Sequence, residues 1–308
     1  MQETANKKIL VATLSVVSNT LLVSGKVLIG FLTGSVSILS EGIHSGIDLI
    51  AAIIAFFSVR ESGRPADERH RYGHGKIENI SGTVEAVLII VAALWIMYEA
   101  VSKLRHPGEV EQLGWGIAVM AISSIVNLFV STILMRTAKQ TDSIALEADA
   151  MHLRTDVYTS LGVMVGLAAI KLTGITILDP IAAIAVALLI IKAGIDLTKQ
   201  AFFPLVDVSL PEDEEQEIIS IIESYSTNYL EFHKLRTRKA GSERHIDLHL
   251  VVPKDFSIRH VHSLCDLIEG ELKRRFPGAQ VLIHTEPCAP EQCKNCAPSS
   301  KNCPNNVQ

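Results

Sequence analysis

Apolar residues gather in six long blocks and thin out abruptly near residue 205. The blocks fall at about residues 9–31, 36–58, 80–102, 113–135, 143–171 and 178–203. Each is near twenty or more residues, the length an α-helix needs to cross the hydrocarbon of a bilayer. Turn residues separate them: Thr33-Gly34-Ser35, Pro107-Gly108, Thr173-Gly174 and Asp179-Pro180. Small residues are frequent inside the blocks, as close packing of membrane helices requires. Beyond Pro204 the pattern changes to that of a small soluble domain. Residues 212–225 read as a helix with an acidic start, and 232–238 and 245–252 as strands. In the second strand Ile246, Leu248, Leu250 and Val252 alternate with His245, Asp247 and His249, which puts the histidines on the face away from the apolar one. Residues 259–275 read as a helix and 280–285 as a last strand. The expected fold is therefore an α-helical membrane protein. Six transmembrane helices (1–205) precede an α+β domain (206–288) of order α-β-β-α-β, metallochaperone-like in its pattern, and a Cys-rich tail (289–308) that reads as disordered.

Charge sets the orientation. Lys7 and Lys8 precede the first block, and Arg60, Arg64, Arg69, Arg71 and Lys76 fill the second linker. Arg136 and Lys139 lie in the fourth linker, whereas the first and fifth are nearly charge-free. The positive-inside rule then places both termini and the α+β domain in the cytoplasm. The stretch after Lys8 runs on to about residue 31 without a small-residue cleavage pattern, so it reads as a membrane helix and not as a leader. Net charge is −5, and no basic patch interleaved with aromatics suggests nucleic acid.

The chemistry sits in polar residues that the membrane blocks should not tolerate. His44 and Asp48 lie four apart in the second block, His152 and Asp156 four apart in the fifth. Four residues is just over one helical turn, so each pair points from one face. Two such helices side by side offer two imidazoles and two carboxylates, a set that suits tetrahedral zinc. An ionisable residue at membrane depth is costly unless compensated, and a bound dication or protons would supply the compensation. Glu41 and Asp149 lie nearby as secondary polar groups, and Lys26 and Arg154 read as snorkelling or pairing residues. Asp67, His70 and His74 form a second constellation in the basic linker, although two histidines in a solvated loop are by themselves a weak signal. The α+β domain holds a third set: His233, His245, His249, His260, His262, His284 and Glu286. The tail cysteines, Cys288, Cys293, Cys296 and Cys303, have short metal-like spacings, but the spacer is too short for a usual zinc ribbon. They stay open between ligands and plain thiols.

Taken in order, these residues resemble the cation diffusion facilitator family, and its bacterial zinc and iron efflux branch most closely. The resemblance covers about residues 8–288. It rests on Gly34-Ser35-Val36-Ser37, the two His/Asp pairs and the Gly73-His74-Gly75-Lys76 loop. Leu235-Arg236-Thr237-Arg238, Arg275-Phe276-Pro277-Gly278 and His284-x-Glu286-Pro287-Cys288 complete it. It implies a homodimer in the bacterial inner membrane that exchanges cytosolic divalent metal, zinc first, for protons by alternating access. It implies a transport site at His44, Asp48, His152 and Asp156, a loop site at Asp67, His70 and His74, and a binuclear site at His233, His249, His262, His284 and Glu286. Some relatives have Asp at the position of Glu286. A broader exporter of iron, cadmium, cobalt or manganese is the alternative within the family. A membrane metalloenzyme is the rival from another class, but no His-Glu-x-x-His is present. A metal sensor that is only anchored by its spans would need no intramembrane ligands.

Overall fold

The structure is a computed structural model that describes residues 2–34, 36–105, 114–173, 175 and 177–288. The cysteine tail from 289 onward lies outside the described residues. The chain divides into two compact units, Met1–Leu205 and Val206–Gln308.

The first unit is helical: α1 Gln2–Thr33, α2 Val36–Ser62, α3 Lys76–Arg105, α4 Gly114–Thr141, α5 Ile144–Thr173 and α6 Leu178–Phe202. These are the six expected blocks, all but the last lengthened by polar turns at one or both ends. α1 packs on α2, α3 on α6 and α4 on α5, while α5 also touches α2, α3 and α6. Gly34 between α1 and α2 has φ +65°, the left-handed conformation that lets two helices reverse over so short a link. Gly194 lets α6 approach α3 closely, since a Cβ there would stand 2.7 Å from the Ile90 side chain.

Among the described residues, five helices are long and apolar enough to cross a membrane by length and composition alone. The sixth, α5, is 30 residues long but carries Glu147, Asp149, Arg154 and Asp156 in its first half. Its interior position accounts for this: Ala148, Asp149, Ala150 and Leu153 are all buried. The outer faces of the other helices expose Leu10, Phe31, Trp95, Tyr98 and Phe129, as lipid-facing surfaces do.

A buried ion pair ties the polar ends of four elements. Glu78 on α3 accepts from Lys8 Nζ on α1 at 3.0 Å, from Ser62 Oγ on α2 at 2.7 Å and from Ser143 Oγ, just before α5, at 2.5 Å. Lys8 and Glu78 are both almost fully buried. Removing one partner leaves the other charge uncompensated, so Glu78→Ala should cost about 3–5 kcal/mol of stability. Thermal unfolding in detergent reads this, and a midpoint equal to that of the parent would show that the network adds nothing.

The second unit follows the order α7 Glu212–Glu223, β1 Glu231–Ala240, β2 Glu243–Val252, α8 Ile258–Arg275, β3 Gln280–Pro287. β2 is the central strand, antiparallel to β1 and parallel to β3. α8 makes the crossover that a parallel pair needs. Ile246, Leu248, Leu250 and Val252 on β2 meet Ile218 and Ile222 of α7 and Leu264, Ile268 and Leu272 of α8 in one core. The acidic first turn of α7 and the Lys273-Arg274-Arg275 end of α8 both oppose their helix dipoles favourably. Ser257 caps α8 through the His260 backbone N–H. The sheet thus has one face covered by helices and one face left for the histidines.

Candidate functional site

Consecutive membrane helices alternate in direction, so α2 and α5 run antiparallel. Four-residue spacing on antiparallel helices sets the histidine of each level with the aspartate of the other. The geometry follows that rule. His152 Nε2 lies 3.1 Å from Asp48 Oδ1, and His44 Nε2 lies 4.0 Å from Asp156 Oδ1. His44, Asp48 and Asp156 each bring a ligand atom within 4.8 Å of the others, and His152 joins them through Asp48. The two pairs differ in surroundings. Asp48 and His152 are buried, whereas the His44 side chain is more than half exposed.

Two neighbours carried no spacing signal in the sequence. Asn127 Nδ2 on α4 stands 3.5 Å from Asp156 Oδ2. Lys26 on α1 is buried and donates to Ser45 Oγ at 2.8 Å, between the two ligands of α2, so of the two expected roles it takes the pairing one and not the snorkelling one. Asp149 and Glu85 are also buried. Ser81 donates to Glu85 Oε1, while Glu85 Oε2 has no hydrogen-bond partner among the described residues. Glu41 falls where no side chain is described.

The second linker forms a compact turn. Asp67 Oδ1 accepts the backbone N–H groups of Arg69 at 2.9 Å and His70 at 2.6 Å, an Asx turn that folds the loop back on itself. His70 Nδ1 then lies 3.2 Å from Asp67 Oδ1, and His74 Nε2 lies 3.4 Å from Asp67 Oδ2. The backbone N–H of His70 holds the Asp67 carboxyl below its ordinary titration range. One carboxylate and two imidazoles therefore converge on the loop.

In the second unit the exposed sheet face carries a row of imidazoles. His233 on β1 pairs in register with His249 on β2, and His249 with His284 on β3. A bulge follows His233, with Lys234 at φ +51°, so the register downstream shifts while His233 stays opposite His249. Glu286 reaches across the row. Its Oε1 lies 2.7 Å from His249 Nδ1 and its Oε2 lies 3.4 Å from His233 Nε2. His284 Nε2 stands farther off, 3.8 Å from Glu286 Oε1. His262 on α8 is not in this group. Its Nε2 lies 3.6 Å from Asp266 Oδ2, and it shares with Glu286 only the lining of a cleft between α8 and β3. Contact with His249 lowers the pKa of Glu286. That interaction therefore stabilises the domain above the ordinary glutamate pKa, and the contribution is lost as pH falls through the lowered value. Carboxyl-resolved NMR titration of residues 206–288 under chelator should give Glu286 a midpoint below that of a free glutamate, moved up by His249→Ala. A midpoint unmoved by that substitution would exclude the contact.

Comparison with known proteins adds an independent line. A family described as the cation efflux transmembrane domain matches residues 12–206, and one described as the cation efflux protein cytoplasmic domain matches residues 210–288. An uncharacterised transporter of Synechocystis is 38% identical over 89% of this chain and 91% of its own length. A cation-efflux pump, FieF, of Yersinia enterocolitica is 35% identical over 83% of this chain and 85% of its own. The FieF pump of Serratia proteamaculans is 33% identical over 86% of this chain and 87% of its own.

Proposed function

The chain belongs to the cation diffusion facilitator family, bacterial branch, a family of divalent-cation efflux transporters and not of enzymes, and we propose that its cargo is zinc, exported from the cytoplasm in exchange for protons. The observation that carries this reading is the cross-paired tetrad of α2 and α5. Two imidazoles and two carboxylates favour zinc over manganese or magnesium, which prefer all-oxygen shells. The loop and sheet-face clusters are read as accessory zinc sites, with His262 joining the latter as the family pattern implies.

Proton coupling follows from ligand chemistry. A dication needs neutral imidazoles and ionised carboxylates, so protons and metal compete for the same four groups. With both termini in the cytoplasm, the close Asp48–His152 pair is the inner half of the site and the wider His44–Asp156 pair the outer half. Metal arrives from the inner side, and protons displace it at the outer side. The tetrad then returns protonated, and imidazoles titrate near neutrality, which makes the swap feasible at ordinary pH. The protein works as a homodimer in the bacterial inner membrane, its cytoplasmic domains forming part of the contact.

Initial flux rates with zinc, cobalt, cadmium, iron and manganese in competition test the choice of metal. Zinc should lead. A rate order led by manganese would overturn the zinc assignment and leave cation efflux standing.

A further inference from the structure

Resting on that reading of the tetrad, we infer that Lys26 is the release element of the transport site, a fixed positive charge that weakens the hold of the ligands on the dication. The residue sits where few lysines do. Its side chain is buried in the membrane unit, and its ammonium donates at 2.8 Å to Ser45 Oγ, itself buried. Ser45 directly follows the ligand His44 and lies three residues before the ligand Asp48. α1 comes this close because α2 has a glycine there: a Cβ on Gly42 would lie 3.0 Å from Val27 Cγ2 and 3.6 Å from Lys26 Cβ.

Charge balance gives this placement a purpose. Two ionised aspartates and a dication cancel one another. Counting these ligands alone, the loaded site is neutral and the empty site doubly negative. In a low-dielectric interior that difference makes the loaded state a trap and the empty state costly. One lysine beside the ligands adds positive charge to both states, which disfavours the loaded one and favours the empty one. Loading and release then become comparably favourable, as a carrier that must let go of its cargo requires. A lysine present only to tie α1 to α2 would predict the opposite effect on substitution, because loosening the helices would weaken binding of the metal and not tighten it.

Zinc flux into proteoliposomes, taken over a range of zinc concentrations with the full-length protein, separates these outcomes. Lys26→Met keeps the length of the side chain and removes its charge. It should lower the KM for zinc about tenfold or more and lower the maximal rate about fivefold or more. Lys26→Arg keeps the charge and should stay near the parent in both quantities. A Lys26→Met variant whose KM is unchanged or raised would overturn the proposal. Asp156→Ala in the same assay checks the reading beneath it. If that variant transports zinc normally, the tetrad is not the transport site and the role of Lys26 falls with it. Loss of flux in Asp156→Ala beside an unmoved KM in Lys26→Met would remove the lysine proposal alone.

Discussion

Asp48→Ala and Asp156→Ala should each abolish measurable zinc flux while the protein still folds. Each aspartate is one of only two anionic ligands in the tetrad, and each faces a histidine from the other helix. Alanine leaves three ligands and one negative charge for a dication in a poorly solvated site. By comparison with broken buried pairs the loss is about 3–5 kcal/mol, or more than about a hundredfold in binding. The fold should survive, because the helices are held by packing remote from the tetrad, such as Val11, Val59, Leu134 and Leu146 in one cluster and Ile89 and Ile190 in another. Near-normal flux from either variant, at normal expression and elution volume, would remove the tetrad from the mechanism.

Residues 206–288 expressed alone should dimerise more tightly when zinc is added. The unit has its own core, so it should fold without the membrane part. Its exposed sheet face brings His233, His249 and Glu286 together with His284 beside them, a polar row that metal would neutralise. His262 stands apart from the row in one protomer, so a site that includes it has to gain from a rearrangement or from a second copy. A ligand present at a hundred times its dissociation constant adds about 2.7 kcal/mol to the state that binds it. Sedimentation with zinc and with chelator would read the shift. A domain that stays monomeric at every zinc concentration would leave dimerisation to the membrane helices.

The parts legible in the sequence were those with a period. Six hydropathy blocks gave six helices, and the alternation of 245–252 gave a central strand with its apolar residues inward. α5 was visible only because its length and turn signals outweighed its acidic residues, which the bundle interior accommodates. The two His-x-x-x-Asp pairs were visible because four residues is a local spacing. Lys26 and Asn127 were not, since their relation to the tetrad exists only once α1 and α4 pack against α2 and α5. The Glu78 network is likewise assembled from four distant segments. The bulge after His233 left no mark either, because a lysine at positive φ is not a residue that announces a turn.

Zinc flux in proteoliposomes under an imposed pH gradient bears most directly on the central claim. With an acidic lumen, the protein should drive zinc inward against its own gradient while the lumen loses acidity. Collapsing the gradient with a protonophore should abolish the accumulation. Zinc movement indifferent to the pH gradient, or no zinc movement from a folded protein, would contradict proton-coupled export through the His44, Asp48, His152 and Asp156 site.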